Sequence, residues 1–510
     1  MEQEQDEQTK KGQSGPAIGA SSRRDFLKAA TLSAASLAAA GVASTAVPTE
    51  AEAAELTAAV SAATMGAAKA AFKNASGIPV PVADPNKMVS GPYPKAPYIN
   101  KGNVRGANDR INVAFVGTGG MGGSHVRHFS DDHQNRNIKI LGICDVHKGR
   151  AQGNGRYAVS KGAADEASLI VVQDYRKILE NKDIDAIVIA TPEHWHGQIA
   201  CHAMEAGKHV YIQKPMTRYL DEAFQVHDTA VRTKKVVQVG SQGCSNAIYH
   251  AAGKAIREGK IGATVMGQGS YTRNSPNGEW NYGIDGGLSP ENLDWEMWLG
   301  SAPSRPWDAS AGGARDGEAG KRRDPKALYH RYRKYWDYSA GILGDLMPHK
   351  LNPFLIASGK PEYPVRVSCV GTRLGDDRDV HDTVQVTAVF PSNWSMLFVG
   401  STVNEQGIQD VFRGHKATIY FGNDVQIRPE RWASEEIEGG PVPLEGPTGE
   451  PHQRHEINWL DAIRANDPMK ATCNYDLATK VQTIVSLAEM SVRLNRAMLF
   501  DEKTRKVSTG

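Results

Sequence analysis

The chain has 510 residues, of which 40% are hydrophobic and 23% charged, and a formal net charge of +2. This is the composition of an ordinary water-soluble protein with enough length for two domains. The near-neutral balance argues against a nucleic-acid partner or a strongly membrane-seeking surface, and beyond residue 60 no apolar run nears the roughly 20 residues of a membrane span.

Residues 1–53 read as an export signal. In "SSRRDFLKAA" Arg23-Arg24 precede Phe26-Leu27-Lys28, the Ala/Ser-rich run Ala29 to Val47 follows, and Ala51-Glu52-Ala53 offers a small-residue cleavage site. The pattern resembles a twin-arginine signal, which implies the twin-arginine export machinery as a partner and a periplasmic location for a folded protein starting near Ala54. The alternative is a disordered Ala-rich tail with a chance Arg-Arg. With no cysteine after the apolar run, no lipid anchor is expected, nor any other stable membrane anchor. Residues 54–108 are first Ala-rich, then punctuated by Pro and Gly, as a linker or an arm around a neighbouring subunit would be.

From Ile111 short apolar strands alternate with helical stretches. "INVAFVG", "IKILGICDV", "DAIVIATP", "HVYIQKP" and "KVVQVGSQ" predict a parallel sheet covered on both faces, a domain over 109–242. Residues 243–497 read as a second, α+β domain for substrate and oligomerisation, whose final helix is free to pack back on the first. Its segment 273–340 is loop-like and rich in Trp. "VRVSCVGTRL", "DTVQVTAVF", "SMLFVGSTV" and "KATIYFG" then alternate as a mostly antiparallel sheet, before two helical runs. Residues 498–510 are expected to be a tail. The five cysteines (Cys144, Cys201, Cys244, Cys369 and Cys473) lie far apart among apolar neighbours, as core thiols do.

Gly117-Thr118-Gly119-Gly120-Met121-Gly122 is a G-x-G-x-x-G motif between a strand and a helix, the context in which a dinucleotide pyrophosphate rests on a helix N-terminus. Asp145 ends the second strand, where a carboxylate meets a ribose 2′-hydroxyl and repels a 2′-phosphate. NAD is the expected cofactor, and nearby Lys148 and Arg150 leave NADP open. Thr191, Pro192, His194, Trp195, His196, Lys214 and Gln242 lie at the carboxyl ends of later strands and complete the cofactor-binding candidates. Trp195 or His196 is expected to border the nicotinamide, capping of the next helix being the competing role. No metal site is read from the sequence.

"IATPEHWHGQIACHAMEAGKHVYIQKP", together with the glycine motif, resembles the glucose-fructose oxidoreductase/inositol dehydrogenase (Gfo/Idh/MocA) family from about Ile111 to Ala497. "LDWEMWLGSAP" and "YWDYSAGILGDLMPHKLN" resemble its exported bacterial branch. The resemblance implies a Rossmann domain plus an α+β domain, and a carbohydrate or cyclitol substrate. In the family the lysine of the Lys-Pro pair works with an aspartate and a histidine, which fall here on Asp345 and His349. Singly, a strand-end lysine reads as a surface charge and an i,i+4 Asp/His pair as a solvated helix face; together they make a catalytic set. His349 would take the hydroxyl proton, Asp345 would orient it or bind a neighbouring hydroxyl, and Lys214 would stabilise alkoxide charge.

Of Tyr271, Trp280, Trp295, Trp298, Trp307, Trp336 and Tyr338, most are expected in the core and only a pair against substrate. The basic runs Lys321–Arg323 and Arg331–Lys334 read as solvated faces rather than a carboxylate site, and His455 as a cap or packing residue. Three functions compete. The leading one is an NAD(P)-dependent oxidoreductase acting on a sugar, glycoside or cyclitol, exported with a tightly bound, recycled cofactor. The others are an NAD-dependent glycosidase working by transient C3 oxidation, and a silent binding protein. The family's antiparallel sheet implies a homo-oligomer. One departure stands out, since the family has Glu where this chain has Gln213. Removing that charge disfavours the ammonium, so Gln213→Glu is expected to raise the Lys214 pKa; an unmoved pH–rate profile in that variant contradicts it.

Overall fold

The first sheet is wholly parallel, in the order β3-β2-β1-β4-β5-β6. Its strands are β1 (Ile111–Val116), β2 (Ile138–Cys144), β3 (Ile170–Val172), β4 (Ala186–Ile189), β5 (His209–Gln213) and β6 (Val237–Gly240). The computed structural model describes residues 110–307, 324–374 and 378–510, all within one compact unit, Phe72–Gly510. The signal and arm read over 1–53 and 54–108 lie outside the described residues. β4, β5 and β6 are buried at every position, which explains their unbroken apolar runs. β3 escaped the sequence reading because it has only three residues, none fully buried. The order reverses between β1 and β4, opening a crevice at their carboxyl ends.

Among the described residues the second sheet has eleven strands, β7 to β17, and one parallel pairing, β10 with β7, among otherwise antiparallel neighbours. β9 (Thr383–Val389) and β10 (Ser395–Ser401) alternate buried and accessible positions, so one face meets the core. Helix Met347–Ala357 lies close to that face. A Cβ on Gly269 of β7 (Thr264–Asn274) would come within 2.4 Å of Phe354 in the helix, and one on Gly400 within 2.5 Å of Ile342 in the turn that leads into it. These glycines let the helix sit low enough to bring its first turn to the crevice.

Residues 498–510 are not a tail. They form the hairpin β16 (Met498–Asp501) and β17 (Lys506–Thr509), which extends the second sheet from β8 (Arg366–Thr372). Met498 and Phe500 are buried, and Phe500 stacks on Phe224 with centroids 6.0 Å apart. Among the described residues the segment 273–340 holds two short α-helices, Trp295–Leu299 and Pro325–Arg331, and the 3₁₀ turn Tyr332–Lys334.

The domains are not separated cleanly at residue 242. Helix His452–Arg464 packs Trp459, Leu460 and Ile463 into the core of the first sheet with Val113, Phe115 and Phe129. Helix Tyr475–Leu494 supplies Glu489, whose two oxygens take Arg218 Nη1 and Nη2 at 2.6 and 2.8 Å. Both side chains are almost fully buried, 0% and 3% exposed, and the Arg218 guanidinium also donates to the Trp336 carbonyl. The five cysteines are buried and free. Among the described residues no helix is long and apolar enough to cross a membrane. Removing one member of a buried pair strands the other charge. Arg218→Ala is therefore expected to cost about 3–5 kcal/mol in chemical denaturation, and a loss below about 1 kcal/mol would match an exposed pair instead.

Candidate active site

A cavity of about 670 Å³ opens at the crevice, running from the glycine loop to the first turn of helix Met347–Ala357. At the near end Gly117 has φ +81°, and a Cβ there would lie 2.6 Å from the Thr191 amide nitrogen. Only glycine fits. A Cβ on Gly122 would come 1.9 Å from the Gly117 carbonyl oxygen, so this glycine sets the close helix–strand packing, and it does not face the cavity. A Cβ on Gly120 would meet nothing within 4 Å. Helix Gly120–Asp131 starts at Gly119 with no side-chain cap, leaving its first N–H groups for an anion.

Asp145 accepts from the Thr118 amide at 2.7 Å and the His147 amide at 2.8 Å. It thereby joins the glycine loop to the end of β2; Thr118 contributes through this bond rather than by lining the cavity. Arg150 lies beside it, over the Tyr329 ring at 4.9 Å. Gly119, Met121, Thr191, Pro192, Trp195, His196 and Gln242 all line the cavity. Thr191 Oγ1 and Gln242 Oε1 are buried without a hydrogen-bond partner, as groups awaiting a polar ligand would be. The uncapped helix end, the glycine cradle, Asp145 and these two orphaned oxygens fit a dinucleotide.

His194 does not belong to that set. Glu193–Trp195 is a 3₁₀ turn, whose three residues per turn aim neighbouring side chains apart. His194 points inward, with Nε2 2.9 Å from the Trp298 carbonyl oxygen and its ring against Trp298 and Tyr338. Trp195 reaches the cavity, and its Nε1 donates to the same carbonyl at 2.9 Å. His196 bridges the Thr191 and Pro215 carbonyls at 2.8 and 2.7 Å, tying the ends of β4 and β5 together.

At the far end Lys214 leaves β5 and donates to Asp345 twice, to Oδ1 and to the backbone carbonyl, each at 2.6 Å. Arg333 Nε donates to the same Oδ1 at 2.9 Å, and Trp280 Nε1 to Oδ2 at 3.0 Å. Burial alone would raise the Asp345 pKa, but Arg333 and Lys214 outweigh it and hold the carboxylate ionised. Burial lowers the Lys214 pKa, with Asp345 opposing. It also pushes His349 well below the usual imidazole range, helped by the Lys214 charge, so the ring is a neutral base at ordinary pH.

The expectation that Asp345 orients His349 needs correcting. Residues 342–346 form a π-helical turn, so a four-residue offset no longer superposes the side chains, and the Asp345 oxygens are taken up by Lys214, Arg333 and Trp280. His349 is set instead by stacking on Tyr271, with ring centroids 5.4 Å apart at 24°. Pro348 sits in the first turn of its helix, where its missing N–H costs little.

The contacts of Gln213, and the cluster behind it, were not legible in the sequence. Gln213 Nε2 lies 2.7 Å from His125 Nε2, and His125 Nδ1 lies 2.5 Å from Glu456 Oε1. His128 Nδ1 reaches the same oxygen at 3.0 Å, and Arg136 Nη1 takes the other at 2.8 Å. Both imidazoles thus meet one carboxylate oxygen at hydrogen-bond spacing while Arg136 pairs with the other, which makes Glu456 a hub. A carboxylate at position 213 would meet His125 directly. More than 300 residues separate Glu456 from these partners, and no local pattern announces such a hub.

Of the seven aromatics, Tyr271 and Trp298 line the cavity, Trp280, Trp295, Trp336 and Tyr338 are core, and Trp307 packs, partly buried, against Trp295. Arg333 lines the cavity and Lys334 is buried with its Nζ on Asn281, so this basic run is not a solvated face; Lys321–Arg323 lie outside the described residues. His455 is buried and bonds the Val239 carbonyl, a packing role.

Fold and site together define a nicotinamide-dependent oxidoreductase architecture. Residues 111–241 match the GFO_IDH_MocA model, an oxidoreductase family with an NAD-binding Rossmann fold, and residues 280–509 match that family's C-terminal alpha/beta domain. The two matches together span most of the chain, which belongs to this family and binds NAD. Among curated relatives, a glycosyl hydrolase family 109 protein of Shewanella pealeana is 29% identical over 190 residues, 37% of this chain and 40% of the relative. The alpha-N-acetylgalactosaminidase of Shewanella oneidensis is 29% identical over 163 residues, 32% of this chain and 35% of the relative. The chain therefore spans well under half the length of these curated relatives. Levoglucosan dehydrogenase in complex with NADH and levoglucosan shares the fold with a TM-score of 0.53 at 17% identity, over 79% of this chain and 99% of that one. An NAD binding oxidoreductase from Klebsiella pneumoniae does so with a TM-score of 0.54 at 18% identity, over 76% and 98%.

Glu193 supplies a titration of its own. Its carboxylate accepts from Ser339 Oγ at 2.5 Å and from the Ala340 amide at 3.2 Å, yet burial outweighs these bonds and raises its pKa from 4.5 to about 7. Since the folded value lies above the unfolded one, the stabilisation is complete below about pH 4.5 and is lost as pH rises through 7. The melting temperature of the wild type should fall across that window more than that of Glu193→Gln; parallel curves would contradict the assignment.

Proposed function

We propose that this chain oxidises a secondary hydroxyl of a sugar, glycoside or cyclitol with tightly held NAD. The observation that carries this is the meeting of Lys214, Asp345 and the neutral His349 in one cavity with the glycine loop. His349 accepts the hydroxyl proton, which its lowered pKa permits across ordinary pH. Lys214, held on Asp345, faces the oxygen where negative charge develops. Bound NAD supplies the hydride acceptor for the carbinol carbon. Tyr271 holds the base in place, and Trp195 closes the cofactor side against water.

The family 109 relatives favour a second use of the same groups, in which transient oxidation at C3 lets a glycosidic bond eliminate. Release of an aglycone without added NAD would select this reading, and accumulation of a keto sugar the first. We place the protein in the periplasm on its twin-arginine-like start, which would carry the folded, cofactor-loaded enzyme across the membrane. In Lys214→Ala, turnover is expected to fall by about 10²–10³-fold while NAD affinity changes far less. Unchanged turnover on every substrate the wild type accepts would move the chemistry elsewhere.

A further inference from the structure

We propose that Arg333 is a carboxylate-binding residue, which makes the substrate an acidic sugar, a uronic acid or its glycoside; this rests on the oxidoreductase reading above. The Arg333 guanidinium is fixed at one end only. Nε donates to Asp345 Oδ1 at 2.9 Å, and the group lies over the Tyr332 ring with Cζ 4.6 Å from its centroid. Among the described residues Nη1 and Nη2 have no hydrogen-bond partner. The residue lines the cavity, and 27% of its side chain remains accessible. Two parallel N–H donors on a planar, pre-oriented fork match a carboxylate, and the Nε anchor and the stacked ring have already removed most of the side chain's freedom.

The local charge balance asks for the same ligand. Lys214 and Arg333 share one oxygen of Asp345, so two cations face a single carboxylate. Arg273, also at the cavity, is spent on Glu279 and the Tyr271 hydroxyl, each at 3.1 Å, while Glu193 is turned toward Ser339 and Ala340. Glu193 lies near enough to act on both cations, but its oxygens are bonded elsewhere, so the open Arg333 fork is the side of the site left for a substrate carboxylate. Because both cations meet the same oxygen, the fork lies beside the place where Lys214 meets the reacting hydroxyl. Carboxylate and hydroxyl therefore belong to one sugar ring.

The test uses the full-length, NAD-loaded protein and matched ligands: methyl glucuronide against methyl glucoside, methyl galacturonide against methyl galactoside, and the corresponding sugar 6-phosphates. Binding is read by calorimetry and turnover by kcat/KM. At least one uronide should be preferred over its neutral partner by about 10-fold or more, the scale of a charge-assisted hydrogen bond, and the preference should shrink as salt is raised. Arg333→Gln should bring that ratio close to one, mainly through KM, and Arg333→Lys, which keeps the charge and loses the fork, should restore only part of it. Equal or better binding of the neutral sugars overturns the proposal, as does a preference for the 6-phosphates over the uronides. Acid-selective binding with no turnover of any ligand would uphold the subsite and overturn the oxidoreductase reading instead.

Discussion

The carboxylate of Asp345 is the point on which the site depends. Three segments far apart in sequence send a donor to it: Lys214 from the end of β5, Arg333 from the loop-rich segment and Trp280 from the turn after β7. A buried carboxylate with one partner would be an expensive ornament; with two cations and an indole N–H it stays ionised and holds all three in register. It joins the domains at the place where chemistry is needed.

The rest of the interface follows the same rule. Glu456 gathers His125, His128 and Arg136, and Glu489 gathers Arg218 and Arg493. In each case a helix from the C-terminal half inserts an acid that meets several donors, so the helices that cover the first sheet are located by charge as well as by apolar packing. The Glu456 hub reaches the active site through His125 and Gln213, the residue before Lys214. This gives Gln213 a structural reason: an amide can bond His125 while Glu456 occupies the ring's other nitrogen.

What the sequence revealed was what repeats locally or has a fixed geometry. Unbroken apolar strands, the glycine turn with its close approaches and the Lys-Pro exit from β5 each carry their own signature, and the resemblance added Asp345 and His349. What remained hidden depends on distant contacts or subtle backbone changes. β3 is too short and exposed to show a period. The β16–β17 hairpin reads as a tail because it gains its meaning only beside β8 and Phe224. The 3₁₀ turn that directs His194 away from the cofactor, and the π turn that separates Asp345 from His349, shift side chains without changing composition. Arg333 looked like one of several surface cations because its acid partner comes from a different turn.

A crystal structure of the protein with NAD and a bound saccharide tests the central claim most directly, since the account makes one end of the cavity reactive and the other end adhesive. The reacting carbinol is predicted between Lys214 Nζ and His349, with its carbon about 3–3.5 Å from the nicotinamide ring and the pyrophosphate at the Gly119–Gly120 turn. A saccharide held away from Lys214 and His349, or a nicotinamide turned out of the cavity, would contradict it.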